Sequence, residues 1–351
     1  MNGRIRVAVL AGGRSSEHEI SLASARSVLE ALDPSVYDVV TVAIGRDGRW
    51  ELGAGTPEDG VASLEAPARG RDSAASVAAT LPVPSAAAPA ALGAVDVVLP
   101  ILHGPFGEDG TVQGLLELAD VAYVGAGVAA SALCMDKDLF KKVLRESGIR
   151  VTRSVTLRPR DPIEHPFTYP VFVKPARLGS SVGISKVRDE GQLADAVSLA
   201  FRHDEKVLIE EFVDGVEVEV GVLGNLEPIA SLPGEIVPLG HEWYDYASKY
   251  EDGGMDLVIP PRGLSEATIR DVQDVAVDAF RVTDCEGMAR VDCFVAGGDV
   301  IVNELNTIPG FTATSVYAKL FEASGVAYPA LLRRLIELAL ERRERRAKLE
   351  Y

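Results

Sequence analysis

Met288-Ala289-Arg290-Val291-Asp292-Cys293-Phe294-Val295-Ala296-Gly297-Gly298-Asp299-Val300-Ile301-Val302-Asn303-Glu304-Leu305-Asn306 reads as two apolar strands folded back about a glycine pair. Side chains two apart on a strand share a face, so Arg290 and Asp292 belong together, as do Glu304 and Asn306. A three-residue loop, Gly297-Gly298-Asp299, sets Asp292 opposite Glu304 and Arg290 opposite Asn306. A two-residue loop would put Asp292 and Glu304 on opposite faces. In the first register two carboxylates and an amide oxygen converge on one patch of an apolar hairpin. Like charges across a ladder repel, and a cation relieves them. Such an all-oxygen set suits Mg²⁺ or Mn²⁺, which often bridge to phosphates. A solvated hairpin face with an Arg290 ion pair accounts for the same residues.

Upstream, Lys174-Pro175-Ala176-Arg177-Leu178-Gly179-Ser180-Ser181-Val182-Gly183 puts a lysine at a strand end before a Gly/Ser loop. That combination suits phosphate, through a cation, hydroxyls and closely approached backbone N–H groups. Neither a Walker A loop nor G-x-G-x-x-G is present, and an ordinary turn explains the stretch as well. Glu210-Glu211-Phe212-Val213 with Glu217 offers a strand edge, an aromatic ring and a later carboxylate, enough to hold adenine and a ribose. Taken alone, it is more simply an edge strand with solvated acids.

Around these stretches the pattern is α/β. Residues 5–10 form a buried strand before Ala11-Gly12-Gly13, and a helix starts near Ser16 with Glu19 as its capping-box partner. Its inner stripe is Leu22, Ala25, Val28, Leu29 and Leu32. Strands follow at 37–44 and 95–102, and a helix at 111–119. Residues 53–94, rich in Ala, Gly, Pro and Ser, read as a surface insertion with one short helix near 73–79. Asp136 caps a helix whose apolar residues Leu139, Val143 and Leu144 stop before Gly148. Strands at 170–174, 206–213 and 216–223 come next, Val216, Val218, Val220 and Val222 alternating with Glu217 and Glu219. A polar loop (241–256), a helix (265–281), the hairpin and a terminal helix complete the chain. The last helix ends in Glu341-Arg342-Arg343-Glu344-Arg345-Arg346, read as a solvated end complementing the helix dipole. Three units are expected: 1–133, a βαβ-type domain; 134–224; and 225–351.

Composition excludes several classes. The chain has 351 residues, 47% hydrophobic and 25% charged, which is ordinary globular usage. Its net charge of −17 argues against nucleic-acid or membrane-surface binding. An anionic small ligand must be held by a local cluster of cations and amides. Cys134, Cys285 and Cys293 are odd in number and lack C-x-x-C spacing, so they are expected as core thiols in a reducing compartment. With no signal-peptide pattern and no long apolar run, a soluble cytoplasmic protein is expected.

Five runs then share one likeness. Gly12-Gly13-Arg14-Ser15-Ser16-Glu17-His18-Glu19-Ile20-Ser21, Leu102-His103-Gly104-Pro105-Phe106-Gly107-Glu108-Asp109-Gly110 with Gln113-Gly114, Met135-Asp136-Lys137, the Lys174 to Gly183 stretch, and Asn303-Glu304-Leu305-Asn306-Thr307-Ile308-Pro309-Gly310-Phe311-Thr312 resemble the D-alanine–D-alanine ligases. They occur in the family's order and span nearly the whole chain. The resemblance implies an α/β ATP-grasp fold, α+β in parts, with an N-terminal Rossmann-like domain.

It also implies roles. Lys137, Lys174 and Lys249 contact ATP phosphates, with Ser181 and Val182 in a loop closing over them. Glu210, Phe212 and Val213 frame adenine, Glu211 lies beside them, and Glu217 takes the ribose. Asp292, Glu304 and Asn306 bind two Mg²⁺ ions, with Mn²⁺ as a substitute. Glu17 holds the first D-alanine's ammonium, near His103. Arg290 and the Gly310 N–H stabilise an oxyanion, and Ser315 takes the second carboxylate. Ser180 and Tyr250 link to Glu17 and shut the site. The implied reaction forms D-alanyl-D-alanine through D-alanyl phosphate, for peptidoglycan precursor synthesis, in a homodimer. Leu178 and Glu211 fall where the family's motif is not fixed, so Glu211 is expected to serve adenine through its backbone only. The rivals are a D-alanine–D-lactate ligase, another ATP-grasp carboxylate–amine ligase, and a nucleotide-binding regulatory module without turnover. Tyr244-Asp245-Tyr246-Ala247-Ser248-Lys249-Tyr250 resembles the dipeptide-forming type.

Overall fold

The computed structural model describes residues 3–53, 94–239 and 254–350. The helix expected near 73–79, most of the 241–256 loop, and with it Lys249 and Tyr250, lie outside the described residues. The described chain divides into two compact units. One takes its residues from Met1–Val128, Ile308–Lys319 and Val326–Tyr351, the other from Ala129–Thr307 and Leu320–Gly325.

The first unit begins with β1 (Ile5–Gly12), α1 (His18–Ala31), β2 (Tyr37–Ile44), β3 (Trp50–Gly53), β4 (Val97–Ile101), α2 (Thr111–Leu118) and β5 (Ala122–Tyr123). Its sheet has the order β3-β2-β1-β4-β5, parallel except for β3. Val7, Val9, Leu10, Val97 and Val98 are completely buried, as central strands covered on both faces require. The inner stripe of α1 is buried as expected. Its start differs: Glu17 is the cap residue, and no side chain caps it. The expected Ser16–Glu19 box does not form, because the helix starts one residue later: with Glu17 at the cap the third helical residue is Ile20, Glu19 faces Arg46 (3.0 Å) at the surface, and the Glu17 N–H donates to Ser15 Oγ (3.2 Å).

The second unit contains most of the remaining elements: α3 (Val128–Met135), α4 (Lys137–Glu146), β6 (Ser154–Leu157), β7 (Val171–Pro175), β8 (Ser185–Val187), α5 (Glu190–Phe201) and β9 (Val207–Glu211), then β10 (Val216–Gly224), β11 (Ile229–Ala230), β12 (Gly234–Pro238), β13 (Met255–Val258), α6 (Glu266–Val282), β14 (Gly287–Ala296) and β15 (Asp299–Asn306). Two sheets result: an antiparallel β6-β9-β7-β8, and β13-β12-β10-β14-β15 with β11 added beside β10. Asp136 caps α4 by accepting the Leu139 N–H (3.2 Å), and Gly148 follows the helix at φ +79°. Of its apolar residues Leu144 is buried and Leu139 is 46% exposed, and α4 also buries Phe140 and Lys141.

The hairpin reaches the expected pairing by another route. Its loop has two residues, Gly297 and Gly298, at φ +60° and +90°, and Asp299 already pairs with Ala296. Both glycines occupy left-handed backbone that L side chains avoid. The ladder then shifts between Asp292 and Cys293: Cys293 faces Val302, Asp292 faces Glu304, and Asn303 is the extra residue. This β-bulge restores the Asp292–Glu304 and Arg290–Asn306 pairs that the short loop alone would have split across two faces.

The chain ends with α7 (Val316–Ala323) and α8 (Tyr328–Arg346), whose Leu331, Leu332, Leu335 and Ile336 are fully buried and which packs on β4, β5 and α1. Its charged end is solvated at Glu341, Arg343 and Glu344, as expected, but not at Arg342. Arg342 is buried, stacks on the Tyr123 ring at 4.3 Å, and donates to the carbonyls of Gly125 (2.5 Å) and Tyr123 (2.7 Å). Arg343 pairs with Asp120 (3.3 Å) and Arg346 with Glu117 (2.6 Å). Arg342 attaches the helix to β5, and Arg343 and Arg346 pair at the surface with the end of α2 and the turn after it. All three cysteines are buried thiols, as expected, and none forms a disulfide. Among the described residues no helix is long and apolar enough to cross a membrane.

Arg342→Met is expected to lower unfolding stability by about 3 kcal/mol, because it strips two buried carbonyls of a charged donor. A fall in the thermal unfolding midpoint measures it; an unchanged midpoint would show that the stacking methylenes alone hold α8.

Candidate active site

The second unit holds a cavity of about 420 Å³ between its two sheets. One wall is Phe172 and Lys174 of β7 with Glu210 and Glu211 of β9; the other is Glu217 of β10, Phe294 and Asp292 of β14, and Glu304 beyond the bulge. Phe212, Val213 and Ile236 to Pro238 close one end, and Ser181 reaches the rim. An aromatic slot thus leads into a patch of opposed charges. That suits a flat heterocycle carrying phosphates.

The charges are specific. Glu210, 3% exposed, lies between two buried lysines: Lys174 Nζ at 2.6 Å and Lys141 Nζ at 3.2 Å. Burial opposes ionisation of Glu210, but the two lysines outweigh it and hold the carboxyl below its usual range. Burial also opposes the charge on Lys174; Glu210 and Glu304 prevail, and it stays above its ordinary value. For Lys141 burial wins, bringing it down to about 8. Lys137 Nζ donates to the Leu178 carbonyl (2.8 Å) and stands 3.5 Å from Glu304. The Glu210 carboxylate is therefore taken by lysines, and that of Glu211 by Arg153 Nε (2.7 Å), leaving backbone and the Phe212 ring to meet a base. Lys186 Nζ lies 4.7 Å over the Phe212 ring.

On the hairpin face Arg290 grips Asp292 with two hydrogen bonds of 2.7 Å, and Asn306 Nδ2 donates to Asp292 Oδ2 (3.0 Å). Glu219, fully buried on β10 directly across from Asp292, holds Arg290 Nε at 3.0 Å. Two carboxylates and an amide on one face form a hard oxygen-donor set that fits a divalent cation such as Mg²⁺. In the loop after β7, Ser180 and Ser181 sit at φ +51° and +56°, a pair of left-handed non-glycine residues of the kind found in ligand clamps.

Glu17, His103, Gly310 and Ser315 belong to the first unit. Ser15 Oγ donates to the His103 carbonyl (2.7 Å), and His103 Nδ1 bonds the Ile308 carbonyl (3.0 Å), tying β4 to the segment before Gly310. Gly104, at φ +71°, leaves room for Glu17: a Cβ there would stand 2.9 Å from Glu17 Oε2. Ser315 Oγ accepts the Thr312 N–H (3.0 Å) and lies 3.3 Å from where a Gly310 Cβ would be.

The family models for the D-ala D-ala ligase N-terminus and C-terminus match residues 6–126 and 143–337. The chain belongs to the D-alanine–D-alanine ligase family. It is 46% identical to D-alanine–D-alanine ligase A of Mesorhizobium japonicum over 99% of this chain and 100% of that one. Two solved structures are similar: a D-alanine–D-alanine ligase from Coxiella burnetii (TM-score 0.81, 38% identity, 98% and 96% of the chains) and the VanG D-Ala:D-Ser ligase from Enterococcus faecalis (TM-score 0.82, 36% identity, 96% and 100%). The fold is ATP-grasp.

Four residues of this family member were not singled out in its sequence. Phe172 and Phe294 each lie two positions from a chosen residue, Lys174 and Asp292, and so share its face; that spacing was the available signal. Glu219 shares the face of Glu217, and only its complete burial reveals the ion pair. Lys141 is an ordinary helix lysine in sequence, one turn from Lys137.

Removing one partner of a buried ion pair leaves the other uncompensated. Arg290→Met leaves two buried, facing carboxylates, Glu219 and Asp292, without their shared cation and is expected to lower stability by about 3 kcal/mol, read from the denaturant midpoint; adding Glu219→Leu removes one of the two and is expected to regain part of it. A double variant no more stable than the single would deny the coupling.

Proposed function

We propose that this chain joins two D-alanine molecules at the expense of ATP, giving D-alanyl-D-alanine, ADP and phosphate for peptidoglycan precursors. The observation that carries this is one cavity in which aromatic walls, buried Lys174 and the Asp292 and Glu304 carboxylates meet, with Asn306 bonded to Asp292 on the same hairpin face, in a chain of this family. A carboxylate is a poor acyl donor, so ATP activates it as D-alanyl phosphate. In this proposal Lys137, Lys174 and Lys249 take the phosphates, and Glu217 the ribose. Asp292, Glu304 and Asn306 would hold Mg²⁺, two ions with Mn²⁺ as a substitute, which neutralises the transferred phosphoryl group.

Glu17, beside His103, takes the first D-alanine's ammonium, and Ser315 the second's carboxylate. The second amine attacks the acyl phosphate; Arg290 and the Gly310 N–H receive the oxyanion. Asp292 and Glu219 keep the Arg290 fork oriented, so it need not reorganise as charge develops. The strained Ser180–Ser181 turn, Val182 and Tyr250 exclude water, which would hydrolyse the acyl phosphate. The domain division at 133 and 224, a cytoplasmic site of action and a homodimer belong to the same proposal; light scattering of the eluted protein tests the last.

With Mg-ATP, ADP release is expected to require D-alanine and to yield a product of D-alanyl-D-alanine mass; L-alanine gives none. Adding D-lactate or D-serine tests the acceptor, and a mixed product would move the reading to that branch. Arg290→Ala is expected to lower kcat by about a hundredfold to a thousandfold.

A further inference from the structure

Lys141 of the charged cluster is assigned nothing by the reaction above. It has no solvent exposure, sits one turn after Lys137 on α4, and spends its ammonium on three groups. It stands 3.2 Å from Glu210 Oε1, donates to the Asn303 carbonyl (2.8 Å), and donates to Thr152 Oγ1. Asn303 is the bulge residue, so the ammonium holds a carbonyl of the irregularity that aligns Glu304 and Asn306 with Asp292. Glu210 in turn bonds Lys174 through its other oxygen at 2.6 Å.

Counted as charges, Lys141, Glu210 and Lys174 sum to +1. Without Lys141 the remaining pair sums to zero, and the Lys174 ammonium is neutralised by Glu210 where a phosphate must be met. In a site this dry, one unit charge near a phosphate is a large term. A lysine placed only to fill space would not be completely buried against a carboxylate, because desolvating an ammonium is costly. Burial brings Lys141 down to about 8, which still leaves it mostly charged at neutral pH.

We propose that Lys141 is a positioning residue of the ligase reaction, the counter-cation that occupies Glu210 so that Lys174 keeps its charge for the nucleotide's phosphates, while pinning the Asn303 bulge beneath the metal-binding face. This rests on the reading of Lys174 as a phosphate ligand.

The test is nucleotide binding by the full-length protein, followed by calorimetry with Mg²⁺ and adenylyl imidodiphosphate, with adenosine as a phosphate-free control. Lys141→Met is expected to weaken the triphosphate analogue about tenfold or more while leaving adenosine unchanged. Adding Glu210→Gln returns the cluster to +1, so Lys141→Met/Glu210→Gln is expected to recover most of that affinity. A purely structural lysine predicts the opposite, since removing a second buried group would compound the damage. Lys141→Gln, which retains hydrogen bonding to Thr152 and Asn303 without the charge, serves if the methionine variant does not melt cooperatively, and is expected to weaken binding equally. Wild-type affinity in Lys141→Met or Lys141→Gln, or a double variant no better than the single, overturns the proposal. Wild-type protein that binds the analogue but makes no D-alanyl-D-alanine would sink the ligase reading alone. Wild-type protein that binds no Mg-nucleotide would sink both.

Discussion

The chemistry depends on a single inserted residue. Asn303 has no partner across the ladder, and because it is there, everything beyond it on β15 is shifted by one position against β14. A strand's two faces alternate, so that shift decides whether Glu304 and Asn306 share a face with Asp292 and Arg290. The tight Gly297–Gly298 turn favours the wrong face and the bulge corrects it. Bulges bend and twist the strand that carries them, and they are common beside active sites for that reason. Here the irregularity is held from outside the sheet, by the Lys141 ammonium on the Asn303 carbonyl.

Around that face the unit concentrates positive charge inside a strongly acidic chain. The net charge of −17 would repel a nucleotide at long range. At short range the cavity offers Lys174, fixed by Glu210, and Lys137 stands 3.5 Å from the Glu304 of its wall, fixed by the Leu178 carbonyl. Surface pairs such as Arg46–Glu19 are screened and count for little; the buried ones are not screened, and their geometry is set by the fold. A cation already desolvated and oriented makes phosphate contacts without reorganising. The same principle governs Arg290, gripped from two sides by Asp292 and Glu219 before any oxyanion exists.

Much of this was legible in the residues. Strand periodicity located β1, β2, β10, β14 and β15, and the pairing of Asp292 with Glu304 followed from period two and the demand for a shared face. The reason for the pairing did not follow, because a bulge leaves no mark in a hydrophobic pattern and one residue moved from loop to strand gives the same register. The capping box at Ser16 failed because the helix begins one residue later, with Glu17 at the cap, and a one-residue shift of a helix start takes Glu19 out of the motif's spacing. Arg342 was misread for a different cause: its partners are backbone carbonyls, which every sequence has everywhere. Lys141 and Glu219 escaped because burial is a property of the assembled layers. The D-alanine ligase likeness supplied the residues by position, while their charge state and mutual support came only from coordinates.

Arg342 also bears on the order in which the protein is made. The first sheet is encoded within the first 123 residues, yet the helix that covers β4 and β5 begins at Tyr328, and Arg342 reaches back 217 residues to the Gly125 carbonyl. During synthesis β1 to β5 therefore leave the ribosome about 200 residues before the helix that packs on β4 and β5. The second unit, whose strands run without interruption by the first from Ser154 to Asn306, has all its sheet residues available earlier than the first unit has its lid. The unit whose translation starts first receives its covering helix last.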